Sequence, residues 1–219
     1  MFKLLKKEFL LCLHPTCFLF LAFCLFVFIP NYPYEVAFFF SGLSAFFVFI
    51  TARENGDVLF SSTFPVRKGD VVRARILFHV LFQAALLLLT GVMTAIKENV
   101  FPAEAQINMA GSSANLAFLG YGAVLLGIFD LIFFPLVYRK PANVGVPFVL
   151  AAAVQFVCIA LLIVLRFAAP PFRDVLNTPD PQFIGAKLAV FFTGIAFYAG
   201  AVALAMFLSV RNFEKTDLS

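Results

Sequence analysis

The sequence predicts an all-α polytopic membrane protein with six transmembrane helices. Three observations predict this fold class: a hydrophobic content of 63%, a charged content of 13% and a mean hydropathy of +0.99 over 219 residues. A soluble domain of this length cannot bury so much apolar surface, because its core is limited by its own volume. Lipid must therefore solvate most of the chain.

Six apolar runs are candidates to cross a bilayer, which takes about 20 residues per helix. We expect them to form a single transmembrane domain over residues 1–219. The predicted spans cover residues 16–33, 35–52, 76–96, 113–137, 144–165 and 187–210. The first apolar run is the shortest, and it reaches the required length only if residues 9–13 or the turn at 30–33 belongs to it.

A short amphipathic helix is predicted before the first span. Its apolar face consists of Phe2, Leu5, Phe9 and Leu13. The three lysines of this segment lie largely off that face, a pattern typical of a helix that lies in the membrane interface. Pro15 lacks a backbone donor, so we expect a kink at His14-Pro15. No small-residue cleavage site follows the first run, which predicts a retained span and not a removed signal peptide.

The basic residues predict the orientation. With the N-terminus in the cytoplasm, 12 Lys and Arg residues lie inside and only four lie outside. The outside residues are Lys97, Arg166, Arg173 and Lys187. This bias predicts a cytoplasmic N-terminus, and six spans return the C-terminus to the same side. Because the charges follow the topology and form no contiguous patch, we expect no nucleic-acid partner.

The motifs of several enzyme classes are missing from the sequence. It contains no P-loop, no HExxH, no nucleophile elbow and no paired intramembrane carboxylates. Its two histidines, His14 and His79, are too far apart to build a metal site. We therefore expect no catalytic, cofactor-binding or metal site in this chain. The four cysteines form no CxxC pair and are expected to be buried reduced thiols.

The most informative segment is the longest inner connection, between spans two and three. We expect Glu54 and Asp57 to open a short helix whose apolar side chains face a partner, because a merely solvated loop would not need them. The predicted docking residues are Arg53, Glu54, Asp57, Val58, Leu59 and Phe60. An elbow follows, in which Asp70 is expected to cap the next helix. The predicted elbow residues are Phe64, Pro65, Arg67, Lys68 and Asp70.

One acidic residue lies deep in a predicted span. Asp130 is about 10 Å from the inner margin of span four at 1.5 Å per residue, and Gln83 of span three lies at the same depth. His79 is one turn away on the same face. We expect Asp130 to face the protein interior and to form a hydrogen bond with Gln83 or His79. The alternative is that Asp130 meets water in a vestibule or a backbone group of another span.

Two stretches resemble a known family. Arg53-Glu54 followed by FPVRKGDVVRAR at residues 64–75 resembles the "E…LPVSRKDIVLAKY" motif between spans two and three of ABC-2 type transporter permeases. The stretch LLKKEFLL at residues 4–11 resembles the opening of that family. Phe64 stands where leucine is usual, and Gly69 stands where a longer residue is common.

The resemblance implies a permease subunit of an ATP-driven exporter in a bacterial cytoplasmic membrane. It implies a dimer with a second permease subunit, identical or different, and a separate ATP-binding subunit that holds ATP and Mg. The docking residues would then form the coupling helix. An accessory or immunity membrane protein, or a small secondary transporter without an ATPase, is the alternative. A secondary transporter usually has several intramembrane ionisable groups, whereas here only Asp130 is clearly inside.

Small residues in two spans allow close approach of helices. They are Gly120, Ala123 and Gly127 in span four, and Gly194, Ala196, Gly200 and Ala203 in span six. They are expected to pack within one subunit, with a dimer interface as the alternative.

Overall fold

The computed structural model describes residues 2–57, 66–102 and 106–215. These residues form helices and no strand. In chain order the helices are α1 (Phe2–Lys7, continued by a π-helical turn at Glu8–Cys12), α2 (Thr16–Leu21, continued by a 3-10 helix at Ala22–Phe28), α3 (Val36–Glu54), α4 (Lys68–Val100), α5 (Leu116–Arg139), α6 (Gly145–Ala168) and α7 (Ile184–Glu214). A π-helical turn at Pro171–Leu176 lies between α6 and α7.

The structure confirms the predicted fold class. The five helices α3 to α7 are each long and apolar enough to cross a membrane. The N-terminal pair Phe2–Cys12 and Thr16–Phe28 makes a sixth candidate, with a bend of 96° between its halves. At the usual rises of α and 3-10 helices, Thr16–Phe28 is about 23 Å long, shorter than the hydrocarbon core of a bilayer. The first span is therefore the least regular of the six.

The bend falls at the predicted His14-Pro15 kink. The imidazole Nδ1 of His14 lies 2.8 Å from Oγ1 of Thr16 and accepts a hydrogen bond from the Thr16 backbone N–H at 3.3 Å. His14 thus caps the helix that begins at Thr16, while Pro15 interrupts the one before it. The two halves lie nearly at right angles, as expected for an interfacial helix followed by a span.

The small residues separate into two groups. Gly120 and Gly194 face each other where α5 packs against α7, and a Cβ on Gly120 would lie only 2.6 Å from the Val190 carbonyl oxygen. These glycines therefore serve packing within one chain, as expected. Gly200 faces the other way, and no atom of the described residues lies within 4 Å of where its Cβ would be. Ala196 and Ala203 share that exposed face of α7.

The bundle has two polar ends. We call the end that carries Arg75 and Arg139 the inner end, and the end that carries Lys97 and Arg166 the outer end. At the outer end, Arg166 donates hydrogen bonds to Glu35 and Ser112, so the start of α3 is tied to the end of α6.

A second contact at the outer end fixes the chain before α7. Lys187 donates hydrogen bonds to the carboxylate of Asp180 at 2.7 Å and to the backbone carbonyls of Thr178 and Pro179 at 2.7 and 3.0 Å. Lys187 and Arg166 are both buried. These two outer basic residues therefore hold the fold together and leave little free positive charge at this end.

Candidate functional site

The predicted docking helix does not begin at Glu54. Arg53 and Glu54 are the last residues of α3, and the helix ends at Asn55. Gly56 then takes a left-handed φ of 61°, which glycine adopts at no steric cost. The expectation that Glu54 opens a separate helix is therefore wrong, because nothing before Asn55-Gly56 breaks α3. Val58, Leu59, Phe60, Phe64 and Pro65 lie outside the described residues.

The elbow forms the start of α4, with one correction. The N-cap residue is Arg67, whose ψ of 136° is extended, and Lys68 is the first helical residue. Asp70 does not cap the helix; it lies in the first turn, where its charge favours the N-terminus. Its carboxylate forms an ion pair with Arg73 at 3.1 Å. This pair is half-exposed and contributes little to stability.

A buried group of charges includes Asp57, one of the predicted docking residues. We call it the inner ion cluster; it consists of Lys7, Glu8, Asp57 and Arg75. Arg75 donates to both carboxylate oxygens of Glu8, at 2.9 and 3.3 Å, and also to Asp57. Lys7 contacts Asp57 at 2.8 Å. The cluster therefore joins α1, Asp57 and α4 through charge-assisted hydrogen bonds.

The cluster gives Asp57 a role that the sequence did not predict. Its side chain is buried and paired with Arg75 and Lys7, so Asp57 itself is not exposed to a partner. Burial alone would raise the pKa of Asp57, but the charges of Arg75 and Lys7 outweigh burial and hold the pKa below its usual range. Asp57 is therefore an ionised anchor.

Three residues of this region have the right atoms for a metal ion but the wrong surroundings. Possible ligand atoms of Glu8, Cys12 and Asp57 lie within 4.8 Å of one another. Arg75 already donates to all three, with its Nη2 lying 3.4 Å from the Cys12 sulfur. A guanidinium at the centre of the set repels a cation. The residues present do not fit a metal site.

The predicted hydrogen bond inside the membrane region is present. Gln83 Nε2 donates to Asp130 Oδ1 at 2.9 Å, and both side chains are fully buried. The Tyr198 hydroxyl of α7 donates to the side-chain amide oxygen Oε1 of Gln83 at 2.6 Å. His79 lies farther off, with Nε2 at 3.8 Å from the same Asp130 oxygen. Gln83, Asp130 and Tyr198 thus connect α4, α5 and α7 at one depth. Of the two predicted partners of Asp130, Gln83 forms the hydrogen bond.

We expect Asp130→Leu to lower the free energy of unfolding by roughly 1–3 kcal/mol, because it leaves the buried Gln83 amide without an acceptor. The measurement is the thermal unfolding midpoint in detergent. Thr193→Val is the matched control, since Thr193 is exposed and its hydroxyl donates only to carbonyls of its own helix. Equal midpoints for the two variants would contradict a stabilising role for Asp130.

Comparison with known families gives one match. Residues 3–214 match the family model described as "ABC-2 family transporter protein". The chain belongs to this family. The match includes the inner ion cluster, the docking segment and all six candidate spans of this ABC-2 family member. Neither the curated proteins nor the solved structures contain a significant match.

The ABC-2 family assignment confirms the resemblance seen in the sequence. It makes the chain a transmembrane component of an ABC-type transporter, a multi-pass membrane protein and a permease. Sequence reasoning also missed the burial of Glu8. It stands among lysines in an amphipathic pattern, and only its partner Arg75, which is 67 residues away in the chain, accounts for its burial.

Proposed function

We propose that this chain is the permease subunit of an ABC exporter in the bacterial cytoplasmic membrane, with both termini in the cytoplasm. The observation that carries the proposal is the family match over residues 3–214. In this proposal a separate ATP-binding subunit supplies ATP and Mg, and this chain forms the translocation pathway. The excess of basic residues at the inner end supports a cytoplasmic location for that end.

The docking site that we propose is the segment between α3 and α4. Its apolar residues Val58, Leu59 and Phe60 have the chemistry of interface anchors, and Arg53 and Glu54 supply a charged rim. Asp57, at the start of the segment, is held by the inner ion cluster. A movement of the docked ATPase would therefore act on α1 and α4 through buried charge-assisted contacts.

A second permease subunit would pack against the exposed face of α7. Ala196, Gly200 and Ala203 lie on this face, and small side chains let two helices approach closely in lipid. Gly120 and Gly194 are already used between α5 and α7. This division leaves one small-residue face available for an identical or a different subunit.

The test is co-purification of the tagged chain with an ATP-hydrolysing subunit from detergent extracts. We expect Glu54→Lys, and separately the double variant Leu59→Ala/Phe60→Ala, to lose ATPase binding or to hydrolyse ATP without transport. Lys140→Glu is the control, because Lys140 is exposed in the other inner connection. Unchanged binding and transport in these variants would refute the docking site, and transport without any ATPase would favour a secondary transporter.

A further inference from the structure

One face of α4 carries polar side chains from the inner end to the outer end. We call these residues the polar seam. They are Arg75, His79, Gln83, Thr90, Thr94 and Lys97. All six are buried, and Leu86 is the one apolar residue that continues their spacing of three or four positions. The seam extends for about 33 Å at 1.5 Å per residue, slightly more than the roughly 30 Å thickness of the hydrocarbon core.

Polar side chains of a transmembrane helix are expected to face the protein and not lipid, and this face of α4 does so. Lipid-exposed positions of α4 are apolar, such as Leu88 and Val92, which are 67% and 45% exposed. The polar seam faces the protein instead. Polar groups buried in a helix bundle are costly unless each finds a hydrogen-bond partner.

Several polar atoms along the seam have no partner among the described residues. They are His79 Nε2, Thr90 Oγ1, Thr94 Oγ1 and Asp130 Oδ2, the last facing the seam from α5. A threonine in a helix can donate to a carbonyl one turn earlier, as Thr193 does at 2.7 Å. Thr90 and Thr94 do not form this bond within the described chain. Their hydroxyls are therefore available to another ligand.

The seam ends in a cavity at each end of the bundle. At the inner end, Arg75, Phe49 and Tyr138 line a cavity of about 160 Å³. At the outer end, Lys97 and Tyr34 line a cavity of about 320 Å³. Lys97 Nζ donates to the Tyr34 hydroxyl and lies 4.5 Å from the centre of its ring. Each cavity exceeds by far the roughly 15 Å³ that one water molecule requires.

We propose that the polar seam is a water-binding path, in which water from the outer cavity reaches Thr94 and Thr90 past Lys97. A second group of water molecules would bind His79 and Asp130, and Leu86 would separate the two groups in this conformation. Water is the ligand that fits, because the orphan atoms are two hydroxyls, one imidazole nitrogen and one carboxyl oxygen, each of which water satisfies as donor or acceptor. The proposal does not depend on an ATPase partner.

Hydration of this face would help α4 to move. Interlocked apolar side chains resist sliding because protein interiors are close-packed, whereas bonds to water exchange readily between neighbouring groups. The inner ion cluster holds the same helix at Arg75. Movement of α4 against α5 and α7 would then occur along the hydrated face.

The test uses Thr90→Cys and Thr94→Cys in proteoliposomes, with a small hydrophilic methanethiosulfonate supplied on both sides of the membrane. The reaction of the unsubstituted protein is subtracted, because it contains four native cysteines. Leu88→Cys and Val92→Cys are the matched controls, since they lie at the same depth but face lipid. Thiols react as thiolates, which form in water and not in lipid, so we expect the seam cysteines to react faster by a factor on the order of ten.

Seam cysteines that react no faster than the two lipid-facing cysteines would overturn the proposal. If a cysteine variant fails to reach the membrane, amide hydrogen–deuterium exchange is measured on the unsubstituted protein instead. We then expect amides of residues 88–96 to exchange faster than those of residues 154–164 in the apolar helix α6. Equal or slower exchange in residues 88–96 would overturn it as well.

Discussion

Replacing Arg75 with leucine should lower the free energy of unfolding by about 3–5 kcal/mol, because it leaves two buried carboxylates without their main counter-charge. Glu8 and Asp57 are both buried, and Arg75 contacts each of them. The measurement is the thermal unfolding midpoint of the purified protein in detergent. The variant should therefore unfold at a clearly lower temperature than the wild type.

Two further variants separate charge from packing at this site. Arg73→Leu is the control, because Arg73 pairs with Asp70 at the surface and such pairs contribute about 0–1 kcal/mol. Adding Glu8→Gln and Asp57→Asn to Arg75→Leu should restore much of the lost stability, since the stranded charges are then removed. A triple variant no more stable than Arg75→Leu would show that lost packing, and not unpaired charge, dominates.

Two local features could be predicted from backbone geometry alone. Asp130 and Gln83 were matched by counting a fixed rise per residue inward from the same membrane margin on antiparallel spans, and their side chains do form a hydrogen bond. The bend at His14-Pro15 followed from the missing backbone donor of proline. Neither inference required knowledge of which helices are neighbours elsewhere in the bundle.

The features that were missed depend on contacts between distant parts of the chain. The burial of Glu8 requires Arg75, and hydrophobic periodicity within α1 carries no information about α4. Helices also extend beyond their apolar runs, because a hydropathy boundary marks where lipid ends and not where the helix ends. α4 begins at Lys68, although its apolar run begins at Ile76. α3 likewise continues past its apolar run, through Arg53 and Glu54. Both residues favour helix although they are charged.

Replacing Arg166 with leucine should destabilise the outer end by a similar amount, about 3–5 kcal/mol. Glu35 is fully buried, and one of its oxygens accepts a hydrogen bond from Arg166. Its other oxygen has no partner among the residues that the structure describes. The variant would therefore leave a carboxylate in the interior with no compensating cation. It would also remove the donor to Ser112, which adds to the loss.

A double-mutant cycle in detergent tests this account of the outer end. Glu35→Gln combined with Arg166→Leu should be more stable than Arg166→Leu alone, because an uncharged amide is less costly to bury than a carboxylate. Arg173→Leu is the control and should leave the unfolding midpoint unchanged, since Arg173 and its neighbour Asp174 are both more than half exposed. No recovery in the double variant would contradict the prediction. Recovery would identify the unpaired Glu35 carboxylate as the cause, because the packing lost with the arginine side chain is the same in both variants.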